Sequence, residues 1–225
     1  MRQTVKAVIF DQDGLMFDTE RISGIAWQLA GKEFGFCPEE SFLKTIRGTN
    51  REQMRSRFEA VYGTEIDFER FRDRKQQYYE AQFAKEGVPV KPGLRELLAF
   101  LKEQRIPMAV ATASKLDYTE RNLRETGLGE YFDYLVTGEM VSRAKPDPAL
   151  FMKAAELLGK RPEECLVLED SLNGVEAGLT GGFRTIMVPD RTQPDEELAS
   201  RVYRVCGSLL EVKELLQEEL SVREA

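Results

Sequence analysis

The sequence predicts an α/β protein, with a doubly wound parallel (Rossmann-like) sheet and an all-helical domain inserted after the first strand. Several short runs are almost continuously apolar, which is typical of strands covered on both faces in a parallel sheet. From about Lys91 onward, helical patterns alternate with these runs, as a doubly wound sheet requires. Between Phe17 and about Val88, the sequence is charged, has helical spacing and lacks a strand-like run.

The strand-like runs begin near the N-terminus and resume after the insertion. In order they are Val5–Asp11, Met108–Ser114, the weaker Tyr134–Thr137, Cys165–Asp170 and Thr185–Pro189. Two helical patterns between them are clear. After the breaker Pro92-Gly93, leucines at positions 94, 97, 98 and 101 recur at helical spacing. A second helix is predicted to have Asp147 as its N-cap, Pro148 as its first residue and Gly159 just past its end.

These patterns divide the chain into two domains. We expect an α/β core formed by residues 1–17 and 88–225, and a helical domain formed by residues 18–87. The aromatic residues expected to form the core of the helical domain are Trp27, Phe42, Phe58, Phe68 and Phe71. A monomer is the simplest expectation for such a two-domain chain.

Composition and charge exclude several classes of protein. With 225 residues, 42% of them hydrophobic, the chain can bury a sizeable core. A net charge of -7 argues against nucleic acid or an anionic membrane as the main partner. There is no signal-peptide pattern and no apolar run of membrane-spanning length. The three cysteines are widely spaced and favour a reducing compartment, so we predict a cytoplasmic protein.

The sequence contains no histidine, which removes imidazole as a general base, a phosphoryl carrier and a metal ligand. Catalysis would therefore depend on carboxylates, hydroxyls, lysines, arginines and a metal ion. Such polar residues stand at the ends of the predicted strands. They are Asp11 and Asp13, Thr112 and Ser114, Lys145, and Glu169 with Asp170. In an open α/β sheet, ligands bind beyond the carboxyl ends of the strands, so we expect these residues to form one site.

The acidic residues of this site predict a magnesium ion. Carboxylates at neighbouring strand ends would repel one another unless a hard cation lay among them, and oxygen ligands suit Mg²⁺. Because Mg²⁺ prefers few protein ligands together with phosphate oxygens, the cluster also implies a phosphorylated substrate. Lys145 could neutralise the phosphate or the nucleophile, and Thr112 could donate to a phosphate oxygen. Gly14 lets the backbone turn closely around the anion.

A carboxylate can attack phosphorus to give an aspartyl-phosphate, and the absence of histidine favours this route. Asp11 and Asp13 are the candidates for nucleophile and for acid and base, because a second carboxyl could protonate the leaving oxygen and then deprotonate the attacking water.

Four segments, DQDGLMFDTE, ATASK, AKPDPALF and LEDSLNGVEA, resemble in this order the four motifs of the haloacid dehalogenase superfamily. The chain is similar to the branch with a helical cap between the first two motifs, which includes β-phosphoglucomutase and many sugar-phosphate phosphatases. The resemblance implies a nucleophile at Asp11, an acid/base at Asp13, a phosphate-binding hydroxyl at Thr112 and the motif lysine at Lys145. It also implies Mg²⁺ held by Asp11, the Asp13 backbone carbonyl and Asp170, with Glu169 as an additional or outer ligand.

The resemblance extends less firmly to substrate binding. Arg47, in the segment TIRGTNREQM, falls in what resembles the cap loop that meets substrate, and Lys75 falls where some relatives use a cap lysine for phosphate. For the Arg47 segment a solvated turn between helices is an equally good interpretation, and for Lys75 most lysines on such a charged helix are simply exposed. Gly14 and Ser114 are the predicted substrate-binding residues of the core.

The favoured function is a phosphatase that acts on a small phosphorylated metabolite, with a sugar phosphate expected. The alternative is a β-phosphoglucomutase-type isomerase, whose relatives carry a cap histidine where this chain offers Ser23. Haloacid dehalogenases and phosphonate hydrolases lack an acid at the position of Asp13, which argues against both. A non-catalytic phosphate-binding protein is disfavoured because it would lack at least one of the four main site residues, Asp11, Asp13, Lys145 and Asp170.

Overall fold

The computed structural model describes residues 5–46 and 51–224. Within them, one parallel sheet contains six strands. The strands are β1 (Ala7–Phe10), β2 (Met108–Ala111), β3 (Tyr134–Val136), β4 (Cys165–Glu169), β5 (Arg184–Met187) and β6 (Arg204–Val205). The predicted fold class, a doubly wound parallel sheet with a helical insertion, is confirmed.

The helices fall into an inserted set and a set that alternates with the strands. The inserted helices are α1 (Thr19–Glu33), α2 (Glu40–Ile46), α3 (Arg51–Tyr62) and α4 (Phe68–Glu86). The alternating helices are α5 (Leu94–Glu103), α6 (Leu116–Thr126), α7 (Ala149–Leu157), α8 (Leu172–Thr180), α9 (Glu196–Arg201) and α10 (Leu209–Glu224). Short 3₁₀ turns occupy Gly129–Tyr131, Gly138–Met140 and Pro162–Glu164. Among these described residues, no helix is both long and apolar enough to cross a bilayer.

The strand order, β3-β2-β1-β4-β5-β6, places the first strand in the middle of the sheet. The chain builds outward from β1 through β2 and β3, then returns to the other side of β1 and continues through β4, β5 and β6. Phe10, the last residue of β1, lies opposite Val110 on one side and Leu168 on the other. The reversal of strand order therefore occurs at β1, which is where open α/β sheets bind ligands.

Burial explains why the central strands read as continuous apolar runs. All residues of β1, β2 and β4 are buried, because helices cover both faces of the sheet. Phe10 at the end of β1 is completely inaccessible. Fully burying an apolar side chain of this size contributes roughly 1.5–3 kcal/mol, so the strand that carries the first acidic motif is firmly fixed.

The structure differs from the sequence-based expectation in two elements. Strand β6 was not predicted, because it has only two residues, one charged and one apolar, and so contains no apolar run. Helix α7 begins after Pro148, which is the N-cap in place of Asp147. The Asp147 carboxylate still accepts a hydrogen bond from the Ala149 amide at 3.0 Å, so it serves the first turn from one residue further out.

The chain separates into two compact units, which we call the α/β unit (residues 1–17 and 90–225) and the helical unit (residues 18–89). The helical unit has its own aromatic core. The Trp27 ring of α1 lies 4.9 Å from the Phe71 ring of α4 and 6.2 Å from the Phe58 ring of α3, measured between centroids. Asp67 begins α4 as an N-cap by accepting from two amides of its first turn.

Candidate active site

The predicted core residues meet at the carboxyl ends of three adjacent strands of the α/β unit. Asp11 and Asp13 follow β1, Thr112 and Ser114 follow β2, Glu169 ends β4 with Asp170 after it, and Lys145 precedes α7. The strands stop where these polar residues begin. At β1, for example, the Asp11 amide still donates to the Leu168 carbonyl at 3.0 Å, and the chain then turns away.

Lys145 ties the three strand ends together. Its ammonium lies 2.5 Å from Asp11 Oδ1 and 2.7 Å from Glu169 Oε1, and it donates to the Ala111 carbonyl at 3.3 Å. The same ammonium lies 4.6 Å from the centroid of the buried Phe151 ring, which supplies a cation–π contact. Lys145 is therefore a cation with a side chain only 9% exposed, and its partners come from the ends of β1, β2 and β4.

Glu169 is fixed through both of its carboxylate oxygens. Oε1 accepts from Lys145, while Oε2 accepts from the amides of Asp170 and Ser171, both at 2.8 Å, and from the Ser171 hydroxyl at 3.0 Å. A Cβ on Gly174 would lie 1.7 Å from Oε1, so only glycine leaves room for this carboxylate beside α8. Amide donors at a helix N-terminus stabilise a negative charge, which explains how a carboxylate that is 1% exposed is accommodated.

The buried charges shift the proton affinities of the site. Burial, the largest effect, together with the nearby Glu169 and Asp13 charges, raises the pKa of Asp11 from 3.8 to about 7, although Lys145 opposes this shift. Burial alone would lower the pKa of Lys145, but Asp11 and Glu169 outweigh it and the net pKa is raised. Lys145 is therefore charged at neutral pH, whereas the proton affinity of Asp11 depends strongly on any further cation.

The acidic cluster fits a hard metal ion. Asp11, Glu169 and Asp170 are all buried, and one carboxylate oxygen from each lies within 4.8 Å of the others. One ammonium cannot balance three carboxylates, and an all-oxygen donor set suits Mg²⁺. Gly14 lies against this cluster, since a Cβ there would be 2.2 Å from Asp170 Oδ2, and its φ of +91° is a conformation that favours glycine.

Asp13 points its carboxylate to a different set of partners. The Ser114 hydroxyl donates to Oδ2 at 2.6 Å and the Tyr118 hydroxyl donates to Oδ1 at 3.1 Å. The side-chain amide of Gln12 also donates to Oδ2, at 3.3 Å. The Asp13 side chain is outside the acidic cluster. Its predicted metal contact was through the backbone carbonyl, and that contact stays a prediction.

Thr112 lies buried at the end of β2. Its backbone amide donates to the Val136 carbonyl at 2.9 Å, and its hydroxyl oxygen accepts from the Ser114 amide at 3.1 Å. Because the hydroxyl oxygen is the acceptor in this turn, its proton can be donated to a ligand. Thr112 is thus held in a fixed turn with a donor to offer.

Of the two substrate-binding residues predicted in the helical unit, the structure describes Lys75 but not Arg47. Lys75 lies on α4 with its ammonium 5.9 Å from the Trp27 ring centroid and 5.8 Å from that of Tyr79. Burial lowers the pKa of Lys75, while Glu20 partly offsets the effect. Arg47 lies outside the described residues. The site built above consists of side chains of the α/β unit alone, and the roles of Lys75 and Arg47 stay predictions.

Sequence reasoning missed three residues that the structure brings into the site. Gly174 sits inside a helix, where glycine costs about 1 kcal/mol relative to alanine, and that cost was a usable signal. Gln12 stands between Asp11 and Asp13 in the sequence and is completely buried. A polar residue directly after an apolar strand was a weaker signal of a role in the site. Tyr118 had no signal, because its contact with Asp13 spans 105 positions of the chain.

Comparison with known proteins places this geometry in a family. Residues 8–188 match the family profile of haloacid dehalogenase-like hydrolases. The chain belongs to this family. A "phosphorylated carbohydrates phosphatase" of Thermotoga maritima is 33% identical over 95% of this chain and 91% of its own length. These matches confirm the predicted superfamily and the predicted enzyme class, a phosphatase.

Two solved structures extend the comparison. CbbY from Rhodobacter sphaeroides, in complex with xylulose-(1,5)bisphosphate, has a TM-score of 0.76 and 28% identity, covering 92% of this chain and 96% of that one. A "putative beta-phosphoglucomutase" from Thermotoga maritima has a TM-score of 0.77 and 30% identity, covering 95% and 99%. The fold of this hydrolase therefore matches relatives over nearly their entire length.

Proposed function

We propose that this hydrolase is a Mg²⁺-dependent phosphatase that acts on a small phosphorylated metabolite, a sugar phosphate, through an aspartyl-phosphate at Asp11. The observation that carries the proposal is the position of Asp11. It directly follows the central strand β1 at the reversal of strand order, lies 2.5 Å from the ammonium of Lys145 and is two residues from a second carboxylate. A phosphate at this edge would meet a nucleophile, a cation and a hydroxyl donor together.

In the first step, a carboxylate oxygen of Asp11 attacks phosphorus. A bond between that oxygen and phosphorus forms, the bond from phosphorus to the ester oxygen breaks, and Asp13 gives its proton to the leaving oxygen. Lys145 holds Asp11 through Oδ1 alone, which leaves Oδ2 to attack. The Thr112 hydroxyl donates to a phosphate oxygen in this scheme.

In the second step, the aspartyl-phosphate is hydrolysed. Asp13, now ionised, takes a proton from water as the water oxygen bonds to phosphorus and the bond to Asp11 breaks. Ester and water are thus converted to alcohol and inorganic phosphate, and both aspartates return to their starting protonation.

Asp11, the Asp13 backbone carbonyl and Asp170 would hold the Mg²⁺ ion. When bound, the ion neutralises the acidic cluster and the phosphate oxygens and orients the phosphoryl group. Glu169 already uses both oxygens on Lys145 and on the start of α8, so we assign it the task of holding Lys145. The Gly14 backbone passes beside the Asp170 carboxylate, and because Gly14 has no Cβ, the space next to that carboxylate stays free of a side chain.

The sugar-phosphate class is supported by the names of the relatives, one a phosphatase of phosphorylated carbohydrates and one a protein crystallised with a sugar bisphosphate. Lys75 and Arg47 of the helical unit are proposed to contribute to substrate choice. Water is proposed as the final acceptor, because Ser23 occupies the place where mutase relatives carry a histidine, and serine is a weaker proton carrier at neutral pH.

The test is a screen for inorganic phosphate released from sugar phosphates, nucleotides and an aryl phosphate, with Mg²⁺ and with EDTA. We expect release only with Mg²⁺ and fastest from a sugar phosphate. Asp11→Asn should lose more than about 1,000-fold in turnover. Asp73→Asn, at an exposed aspartate of α4, is the matched control and should retain full activity. Undiminished turnover in Asp11→Asn, or conversion of glucose 1-phosphate to glucose 6-phosphate without release of phosphate, would overturn the proposal.

A further inference from the structure

Both carboxylate oxygens of Asp13 accept hydrogen bonds from hydroxyl groups of one short segment. Ser114, in the turn after β2, donates to Oδ2 at 2.6 Å, and Tyr118, in the first turn of α6, donates to Oδ1 at 3.1 Å. One donor leaves a carboxylate free to rotate about its Cβ–Cγ bond. Donors on both oxygens define the plane of the group, so the two hydroxyls together set the direction in which each oxygen points.

The tyrosine is well suited to hold that direction. Its hydroxyl sits at the end of a rigid ring with two side-chain torsions, so little freedom is lost on fixing it. The guanidinium carbon of Arg121, one helical turn further along α6, lies 5.3 Å from the centroid of the Tyr118 ring. This contact supports the ring from the direction of its own helix. The phenol is therefore anchored by α6 and reaches across to the loop after β1.

The start of α6 is fixed in turn by the sheet and its neighbours. Ser114 lies in the turn in which its amide donates to the Thr112 hydroxyl oxygen at 3.1 Å. The Leu116 amide, at the first position of α6, donates to the Glu139 carboxylate at 3.1 Å. The segment that carries both hydroxyl donors is thus tied to β2 and to the chain after β3, which gives Asp13 a rigid frame of reference.

We propose that Tyr118 is a positioning residue for proton transfer by Asp13. The inference rests on the proposed function, in which Asp13 protonates the leaving oxygen and then accepts a proton from water. Through its bond to Oδ1, Tyr118 fixes the rotation of the Asp13 carboxyl group and therefore the direction in which that group transfers a proton. Ser114, predicted from sequence to bind substrate, shares this task through its own bond to Asp13.

This role makes a prediction that depends on the leaving group. A general acid is needed when the departing oxygen is a strong base, as in an alkyl phosphate, and is dispensable when it is a weak base, as in 2,4-dinitrophenyl phosphate. Tyr118→Phe keeps the ring against Arg121 and removes only the donor. Its kcat/KM should fall by about 10-fold to 100-fold for a sugar or alkyl phosphate and by less than about 3-fold for the dinitrophenyl ester.

The experiment measures kcat/KM for both classes of ester in wild type, Tyr118→Phe and Ser114→Ala. Tyr134→Phe, an exposed tyrosine of β3, is the matched control and should behave as wild type with every ester. Inhibition by inorganic phosphate should be unchanged in Tyr118→Phe, because its hydroxyl acts on Asp13 and not on the phosphate. A far-ultraviolet circular dichroism melt checks that each variant is folded.

Three results would overturn the inference. An equal loss in Tyr118→Phe with both classes of ester would assign the hydroxyl a structural role, and no loss with either would make it irrelevant to proton transfer. A leaving-group-dependent loss in Ser114→Ala without one in Tyr118→Phe would place the whole task on Ser114. Failure of the proposed function would look different, since wild type would then release no phosphate, or Asp11→Asn would remain active.

Discussion

Replacing Asp11 by asparagine should stabilise the metal-free protein at neutral pH while abolishing its activity. Burial raises the pKa of Asp11 to about 7, so the folded protein binds this proton more tightly than the unfolded chain does. Between pH 3.8 and pH 7, the folded state carries more of this proton, and stability therefore falls as the pH rises through that window. Asparagine is neutral at every pH and escapes the penalty.

The size of the effect follows from the pKa shift. A displacement from 3.8 to about 7 corresponds at pH 7 to a penalty on the order of 4 kcal/mol. The amide also gives up part of the attraction to Lys145, so we expect the variant to gain about 1–4 kcal/mol in free energy of unfolding at pH 7. At pH 4 the two proteins should differ by less than about 1 kcal/mol, because the wild-type carboxyl is then protonated when folded and half-protonated when unfolded.

Urea unfolding in EDTA from pH 4 to pH 8 measures this difference directly. Repeating it with Mg²⁺ adds a second comparison, because an ion that binds only the folded state stabilises it, and the wild type should gain more than Asp11→Asn if Asp11 is a ligand. A variant that is less stable than wild type in EDTA at pH 7, or a difference that does not change with pH, would refute the argument that burial dominates the electrostatics of Asp11.

Two further predictions follow from the packing. Gly174→Ala should destabilise the protein by at least about 2 kcal/mol, because the added Cβ would lie 1.7 Å from the Glu169 carboxylate. Gly24→Ala in α1 is the control: a Cβ there would have no atom within 4 Å, and the change should stabilise the protein by up to about 1 kcal/mol. Thermal melts measure both effects, and equal effects would contradict the steric argument. In thiol labelling at pH 8, exposed Cys37 should react at once, and the buried cysteines, whose pKa burial raises to about 11, should react only on unfolding; these are Cys165 and Cys206.

The sequence predicted the parts of the fold that rest on local patterns. The runs at β1 and β4 were recognisable because strands buried on both faces must be apolar throughout, and the polar residues after them mark where the strands end. Strand β6 could not be recognised, because two residues make no pattern. The start of α7 was displaced by one residue, since Asp147 reaches the same amide from outside the helix. Local chemistry thus predicts which elements exist better than where each begins.

The candidate site was predictable where its residues follow recognisable strands, because the carboxyl ends of parallel strands lie at the same edge of the sheet. Lys145 lies 134 positions from Asp11; its place after a predicted strand suggested the contact, and the family motif strengthened that expectation. Tyr118 stands outside the four motifs, so neither strand ends nor resemblance pointed to it. Its link to Asp13 depends on the register between β1 and β2 and on the direction in which α6 leaves the sheet. Such contacts are properties of the assembled fold.

Glu169 and Asp170 show why a pair of adjacent acids needs a structure to be interpreted. In the sequence both are strand-end acids, and only the family resemblance ranks Asp170 above Glu169 as a metal ligand. In the fold, Glu169 faces Lys145 and the start of α8 and has both oxygens engaged, whereas Asp170 lies against the Gly14 backbone beside Asp11. Since a carboxylate with both oxygens already hydrogen-bonded is a poorer donor to a cation, the two acids are suited to different tasks. The glycine at position 174 makes the distinction, because any side chain there would displace Glu169.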